Sequence, residues 1–198
     1  MYRLLESIRT EKGELQNLHY HQARMNASVK ELFGVENSIK LEKISVPEHC
    51  RRGLYKCRVV YSETIENIEF IPYQYPPIKS LKLIIDDAID YEYKFVNRSN
   101  INLLLEKKGS YDDILIVKNN LITDTSLANI IFFNGKYWLT PALPLLKGTQ
   151  RAKLLFEEKI IAADIHAEDL LHFQKARLIN AMMRFEDEVD VEVNRIEF

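Results

Sequence analysis

A proline-rich run near the middle of the chain limits what the sequence can fold into. The run is Pro72-Tyr73-Gln74-Tyr75-Pro76-Pro77. It cannot continue a central strand, because proline has no backbone N–H to donate to a neighbouring strand. The sequence therefore predicts two domains: a small N-terminal α/β domain, residues 1–76, and a larger C-terminal α/β domain, residues 77–198.

Charge and hydropathy exclude two classes of partner. The chain has 27 basic and 29 acidic residues, a net charge of -2, so neither sign is in the excess that nucleic acid or an anionic membrane would require. No apolar run approaches the ~20 residues that span a bilayer. The first nine residues include Arg3, Glu6 and Arg9, unlike a secretory leader. We therefore expect a cytoplasmic protein that binds neither nucleic acid nor a membrane.

Cysteine and histidine spacing gives no metal site. Cys50 and Cys57 match neither a zinc pair nor a redox motif, and two reduced thiols are expected. His19 and His21 alternate without nearby acidic or cysteine ligands, so they are interpreted as surface residues. The sequence thus predicts no bound metal.

Local patterns predict an alternation of strands and helices. Met25, Val29 and Leu32 recur at three- and four-residue spacing, which indicates a helix over residues 21–33 ending before Gly34. Other elements that bear on the site are strands at 81–85, 91–95, 114–117 and 121–123, a two-residue type I′ hairpin at Asn134-Gly135, and helices at 98–108, 149–159 and 167–174.

Three pieces of sequence carry groups that together suit pyridoxal phosphate (PLP). Lys94 supplies an amine for the cofactor's aldehyde, and Asp124 an acid that can keep its ring nitrogen protonated. Gly148-Thr149-Gln150 opens a helix whose first N–H groups can bind a phosphate. Each piece also has an ordinary alternative: Lys94 as an exposed strand residue, Asp124 as a turn cap and Gly148-Thr149 as a helix cap.

The order of these pieces resembles the class IV aminotransferase family. Lys94-Phe95-Val96-Asn97-Arg98 is similar to the Lys-x-x-Asn-Arg pattern of aminodeoxychorismate lyases. The segment from Leu121 to Ile130 resembles Thr-Glu-Gly-Ser-x-x-Asn-Ile/Leu-Phe, and the segment from Pro144 to Arg151 resembles Gly-Ile-Thr-Arg. The likeness runs from Glu6-Ser7-Ile8-Arg9, similar to Glu-Thr-Ile-Arg, to Asn180.

The resemblance implies a role for each of these residues. Lys94 would be catalytic and bear PLP, Asp124 would face the ring nitrogen, and the backbone of Thr149 and Gln150 would hold the phosphate, with Arg151 left as a structural residue. His21-Gln22-Ala23-Arg24 resembles the family's His-x-x-Arg helix, which implies that Arg24 clamps the phosphate. Ile179-Asn180-Ala181-Met182 resembles a later Asn-Ser segment, which implies further contacts from Asn180 and Ala181.

The resemblance also implies an architecture: the two-domain α/β fold of D-amino acid and branched-chain aminotransferases. It implies a homodimer with PLP in the cleft between the domains and a small-molecule amino substrate. The sequence departs from the family at Asp124, where glutamate is usual, and at Thr125, where a small residue is usual. Aspartate is one methylene shorter, so the ring would sit closer to the backbone or a water would bridge the gap.

Three functions stay open. In a 4-amino-4-deoxychorismate lyase, Lys94 removes a substrate proton and pyruvate is expelled to leave 4-aminobenzoate; the Lys-x-x-Asn-Arg pattern favours this reading. In an amino-acid aminotransferase, the same lysine moves the proton between carbon atoms. The aspartate at position 124 and the absence of the residues that usually precede the first strand motivate a third hypothesis, a PLP-binding protein without turnover.

Overall fold

The computed structural model describes residues 2–197, which form two compact units. The first comprises residues 2–75 with Tyr93–Asn97, and the second comprises Pro76–Glu92 with residues 98–197. The short segment around Lys94 joins the first unit because the Leu5 N–H donates to the Lys94 carbonyl (2.9 Å) and the Val96 N–H to the Arg3 carbonyl (2.9 Å). This division differs from the single predicted boundary after residue 76, which assigned Lys94 to the C-terminal domain.

The first unit is an antiparallel sheet with one long helix. Its elements are β1 (Leu4–Glu11), β2 (Glu14–Leu15), α1 (Leu18–Phe33), β3 (Leu54–Tyr61) and β4 (Ile65–Pro72), with short 3-10 helices at Leu41–Lys43 and Glu48–Cys50. The strand order is β2-β1-β3-β4. The helix predicted over residues 21–33 is confirmed as α1 and begins three residues earlier, at Leu18.

Alternation along β1 builds the core of this unit. Leu4 and Ile8 are fully buried and pack in one cluster with Met25 and Val29 of α1. Successive residues of a strand point to opposite faces, so Glu6, between Leu4 and Ile8, faces the same side. The sequence therefore puts a carboxylate among apolar side chains, where it must be paired to be tolerated.

The second unit is built around a mixed sheet flanked by two α-helices. Its elements are β5 (Leu81–Ile85), α2 (Ser99–Leu105), β6 (Asp113–Lys118), β7 (Leu121–Thr125), β8 (Asn129–Phe133), β9 (Trp138–Pro141), α3 (Thr149–Phe156), β10 (Ile161–Ala163), β11 (Lys175–Ile179), β12 (Asp190–Glu192) and β13 (Ile196–Glu197). Short 3-10 helices lie at Glu106–Lys108, Ala167–His172, Phe185–Asp187 and Val193–Arg195.

The strands of the second unit run in the order β10-β9-β8-β7-β6-β5-β13, and β11 pairs with both β8 and β12. The pairs β5–β6, β5–β13 and β9–β10 are parallel, whereas β6–β7, β7–β8 and β8–β9 are antiparallel. Residues of β5 to β8 and β11 fill one apolar core. No helix in the described residues is long and apolar enough to cross a membrane.

Three predicted elements differ from the structure. Residues 91–95 form no strand; only a single bridge joins Phe95 to Leu4. The β8–β9 loop has four residues, since Phe133 pairs with Trp138 and the Asn134 side-chain oxygen accepts from the N–H groups of Lys136 (3.0 Å) and Tyr137 (2.8 Å). An Asx turn thus replaces the predicted type I′ turn. The helix predicted at 167–174 is a 3-10 helix over Ala167–His172.

Candidate functional site

A tight turn between β7 and β8 fixes the position of Asp124. Asp124 pairs with Asn129 across the two strands. The turn between them is closed by Thr125, whose N–H donates to the Ala128 carbonyl (2.9 Å) and whose hydroxyl accepts from the Ala128 N–H (3.1 Å). Thr125 therefore caps the turn, and the carboxylate of Asp124 is used elsewhere.

The Asp124 carboxylate is buried and held by two neutral donors. Its Oδ1 accepts from the Asn129 side-chain amide (2.8 Å), and its Oδ2 accepts from the Leu146 N–H (2.9 Å). Burial raises the pKa of Asp124 to about 6, although these hydrogen bonds and the charge of Arg151 act in the opposite direction. Burial disfavours the charged form, so a cation brought to this carboxylate would be bound favourably.

The predicted helix at residue 149 is confirmed as α3. Gly148 precedes α3, and its carbonyl accepts the first helical bond from the Ala152 N–H (2.9 Å). The N–H groups of Thr149, Gln150 and Arg151 come before that bond, at the N-terminal end of the helix, where helices in general can bind an anion. Thr149 and Gln150 are both buried. The positive end of the helix dipole adds to the attraction for an anion.

The side chains of Arg151 and Asn180 form hydrogen bonds within the second unit. The Arg151 guanidinium donates to the Thr140 hydroxyl (3.3 Å) and the Pro141 carbonyl (2.8 Å), which supports its structural reading. The Asn180 amide donates to the Leu127 carbonyl (3.1 Å) in the β7–β8 turn. Its oxygen accepts from the N–H groups of residues 182 (2.8 Å) and 183 (2.9 Å). Asn180 thus ties a loop to the turn that presents Asp124.

Arg24, on α1 in the first unit, is paired with a buried carboxylate. The Arg24 Nε donates to Glu6 Oε1 (2.9 Å), and a second guanidinium nitrogen bonds to Glu6 Oε2. His21 Nδ1 lies 2.6 Å from the same Oε2. His21 is 1% exposed, so the interpretation of His21 as a surface residue was wrong. It lies three residues before Arg24, on the same helix face, and so reaches the same acid.

The charges of this cluster shape its protonation. Burial by itself would raise the pKa of Glu6, but the Arg24 guanidinium and the His21 hydrogen bond lower it to about 2. Burial lowers the pKa of His21; the bond to Glu6 opposes this, and the charges of Arg24 and Lys94 lower it further. Because its charge acts on His21, Lys94 lies within electrostatic range of the cluster. Its side chain is half-buried. The structure thus brings Lys94 and Arg24 into one region of the first unit.

The Glu6 pair predicts a pH-dependent stability. Because its pKa falls from 4.5 to about 2 on folding, Glu6 stabilises the fold fully above pH 4.5 and loses this effect as pH falls towards 2. Glu6→Gln should lower the free energy of unfolding by about 3 kcal/mol near neutral pH, because Arg24 and His21 lose the buried carboxylate that they bind. The difference between the two proteins should shrink between pH 4.5 and pH 2 in urea unfolding series.

A surface pair supplies the control for Glu6. Glu69 bonds to Arg58 at 3.0 Å and is 46% exposed, so Glu69→Gln should change stability by less than about 1 kcal/mol. A pH-independent difference between wild type and Glu6→Gln would show that the Glu6 charge contributes nothing to folding.

Sequence reasoning missed two residues that organise these regions. Glu6 lies in a motif for which the sequence predicts no role at this position; its signal is a carboxylate that alternates with Leu4 and Ile8 on β1. Asn129 lies in the segment from Leu121 to Ile130, and no role is predicted for it; its side chain links residue 124 to residue 146, a later part of the chain. No rule of residue spacing predicts the contacts of Asn129 with residues 124 and 146.

Comparison with known proteins decides the family. A model of the family described as "Amino-transferase class IV" matches residues 3–185. The chain belongs to the class IV aminotransferase family. Its members are PLP-dependent enzymes that act on small amino compounds, and the two-domain α/β fold expected from the sequence is therefore that of a known enzyme family.

Individual relatives agree with the family assignment. A Haemophilus influenzae protein described as "Uncharacterized protein" is 39% identical over 186 residues, covering 92% of this chain and 98% of its own. A Haemophilus somnus structure named "putative 4-amino-4-deoxychorismate lyase" is 36% identical, with a TM-score of 0.82 and coverage of 93% of this chain and 98% of that chain.

A more distant structure shares the fold. The PLP-bound form of a hypothetical aminotransferase from Mycobacterium tuberculosis is 13% identical, with a TM-score of 0.79 and coverage of 96% of this chain and 80% of that chain. The fold of this chain is thus shared at low sequence identity.

Proposed function

We propose that this chain binds PLP and acts as a 4-amino-4-deoxychorismate lyase, releasing pyruvate and 4-aminobenzoate. The observation that carries PLP binding is the buried Asp124 carboxylate, whose hydrogen-bond donors are neutral. Two observations support the choice of reaction within the family: the Lys-x-x-Asn-Arg pattern from Lys94 to Arg98, and the name of the 36% identical Haemophilus somnus structure.

The donor set of the second unit fits the cofactor at both ends. A protonated pyridine nitrogen is a cation with one N–H, which suits a buried carboxylate whose donors among the described residues, the Asn129 amide and the Leu146 N–H, are neutral. A phosphate suits the first N–H groups of α3, where Thr149 and Gln150 are buried. In this proposal Asp124 binds the ring nitrogen, and residues 149 and 150 bind the phosphate.

Bound PLP would supply an electron sink for the bond that breaks at the substrate carbon next to the amine. Lys94 would hold the cofactor through its Nζ and, when released, accept the proton from that carbon. Asp124 would hold a proton on the ring nitrogen by its negative charge. Arg24, kept in place by Glu6, would add a cationic contact to the phosphate.

An aminotransferase is the second candidate, and the description of the matching family model favours it. The same residues serve both reactions. The difference lies in where Lys94 returns the proton and in whether a 2-oxo acid later takes the amine. A PLP-binding protein without turnover is the third candidate, motivated by aspartate in place of the usual glutamate at position 124.

Product analysis separates the three candidates. The purified protein with PLP is incubated with chorismate, glutamine and the amidotransferase synthase that makes aminodeoxychorismate in situ. The lyase yields 4-aminobenzoate and pyruvate in equal amounts. A parallel incubation with amino donors and 2-oxo acids detects amine transfer. Transfer without 4-aminobenzoate would replace the lyase by an aminotransferase, and PLP binding without either product would leave the third candidate.

Arg24 gives a test that needs no substrate. Arg24→Ala should weaken PLP binding by about 1.5–3 kcal/mol, the range for hydrogen bonds to charged groups. Thr149→Ala should cost less, because the backbone N–H remains. Each apo-variant is titrated with PLP and followed by visible absorbance. Unchanged affinity in Arg24→Ala would withdraw Arg24 from the phosphate site.

The control for Arg24→Ala must also remove the charge of its partner, Glu6. Arg24→Ala leaves the Glu6 carboxylate buried without its guanidinium, which by itself destabilises the unit. The double variant Glu6→Gln/Arg24→Ala removes that charge. Its PLP affinity should match the affinity of Arg24→Ala when the loss comes from the missing phosphate contact, and should recover towards wild type when the loss comes from misfolding.

We also propose a homodimer working in the cytoplasm. The family resemblance supports the homodimer, and light scattering of the purified protein tests it. Both cysteines, Cys50 and Cys57, are free and buried, which supports a reducing compartment.

A further inference from the structure

Asn129 makes two hydrogen bonds from one amide group. Its Nδ2 donates to Asp124 Oδ1 (2.8 Å) and to the Leu146 carbonyl (2.8 Å). The Leu146 N–H donates in turn to Asp124 Oδ2 (2.9 Å). The Asp124 carboxylate, the Asn129 amide and the backbone N–H and carbonyl of Leu146 therefore form a closed set of three hydrogen bonds that joins the ends of β7 and β8 to the loop before α3.

The other end of the Asn129 side chain packs against Gly148, the residue before α3. A Cβ added to Gly148 would lie 2.0 Å from Asn129 Oδ1, so only glycine leaves room for this side chain. The backbone of Gly148 is extended, with φ -69° and ψ 146°, a conformation open to every residue. Glycine is thus required here for space rather than for a special conformation.

We propose that Asn129 is a positioning residue that holds the Asp124 carboxylate and the Leu146–Gly148 backbone in one fixed arrangement. One side chain contacts both the acid and the residue that precedes α3. A displacement of either group must therefore disturb the other. The importance of this link for catalysis rests on the proposed function, because PLP would use Asp124 and the start of α3 together. The link itself is a property of the protein without cofactor.

The two bonds to Asp124 also bear on its charge. Both donors stabilise the ionised carboxylate, which burial disfavours. Removing the Asn129 amide should therefore raise the pKa of Asp124 further, by about one pH unit if a hydrogen bond to a charged group is lost. Leu146 has no equivalent side-chain substitution, since it acts through its backbone.

Gly148 provides a test at a distance. The methyl group added by Gly148→Ala would lie against Asn129 and not against Asp124. It should push the Asn129 amide away from Asp124, and the pKa of Asp124 should therefore rise. In the double variant Asn129→Ala/Gly148→Ala the second change should add little, because the side chain it displaces is gone. Lys147→Ala, an exposed position in the same loop, is the matched control and should leave the pKa unchanged.

The experiment follows the carboxyl carbon of Asp124 by NMR against pH in the apo protein, with circular dichroism as a check on folding. Asn129→Ser, which is smaller and keeps a polar group, replaces Asn129→Ala if the latter does not fold. A raised pKa in both single variants, with no further rise in the double variant, supports the proposal. An unchanged pKa in Asn129→Ala or Asn129→Ser overturns it. An additive effect in the double variant also overturns it.

PLP titrations keep this inference separate from the proposed function. If Asp124 responds to Asn129 and Gly148 as expected but wild type binds no PLP, the proposed function fails and the positioning role stands. If PLP binds while neither Asn129→Ala nor Gly148→Ala changes the pKa of Asp124, the positioning role fails and the proposed function stands.

Discussion

Replacing Lys94 by alanine should abolish turnover while leaving the protein folded. In the proposed mechanism Lys94 binds the cofactor covalently and is also the base that moves the substrate proton. General acid–base catalysis by itself raises the reaction rate by about 10²–10⁴-fold. The fold should survive, because the Leu5 N–H donates to the backbone carbonyl of residue 94 (2.9 Å), and the substitution leaves that carbonyl in place. The variant should therefore lose activity without losing its unfolding transition.

Labelling identifies the lysine directly. The wild-type protein supplied with PLP should absorb in the visible, and reduction with borohydride followed by peptide mapping should mark Lys94. Lys107→Ala, at an exposed position, is the matched control and should keep both the absorbance and the label. A label on another lysine would remove Lys94 from the proposed mechanism.

Replacing Asp124 by asparagine should slow the removal of the substrate proton by about 10²–10³-fold, the cost of losing one electrostatic contact in a preorganised site. The change keeps the size of the side chain but removes the negative charge that would hold a proton on the ring nitrogen. PLP affinity should fall by much less, because the phosphate contacts remain. Single-turnover kinetics and PLP titration measure the two effects separately.

Asp124→Glu is the matched control, because it keeps the charge and restores the residue that the family usually has. It should retain far more activity than Asp124→Asn. Wild-type rates in Asp124→Asn would show that the carboxylate has no part in the chemistry and that the resemblance fails at this position.

The pKa of Asp124 adds a pH test of the same role. Burial raises it to about 6 in the free protein, so the carboxylate is ionised above that pH and protonated below it. A protonated pyridine nitrogen binds the ionised form. PLP affinity should therefore fall as pH drops below about 6 in wild type, and this dependence should disappear in Asp124→Asn.

Elements with strong local signals were predicted well. The strand β5 was predicted with its observed bounds, Leu81–Ile85, and α1 and α3 were found at the predicted positions, although α3 ends at Phe156. Their signals lie within a few residues: apolar periodicity, and glycine before α3 and after α1. The strand β11 (Lys175–Ile179) was missed because its Lys175 and Arg177 obscure the apolar pattern; both charges are paired with Asp190 of β12.

The sequence by itself determined the family-like motifs, the acid, the amine and the helix start, because each depends on the kind and order of neighbouring residues. Only the tertiary structure decided that Lys94 belongs with the first unit, that Glu6 holds Arg24, and that Asn129 links Asp124 to Gly148. These contacts join residues that the chain brings together by folding, and their geometry depends on the packing of whole strands and helices. Spacing along the chain carries no record of that packing.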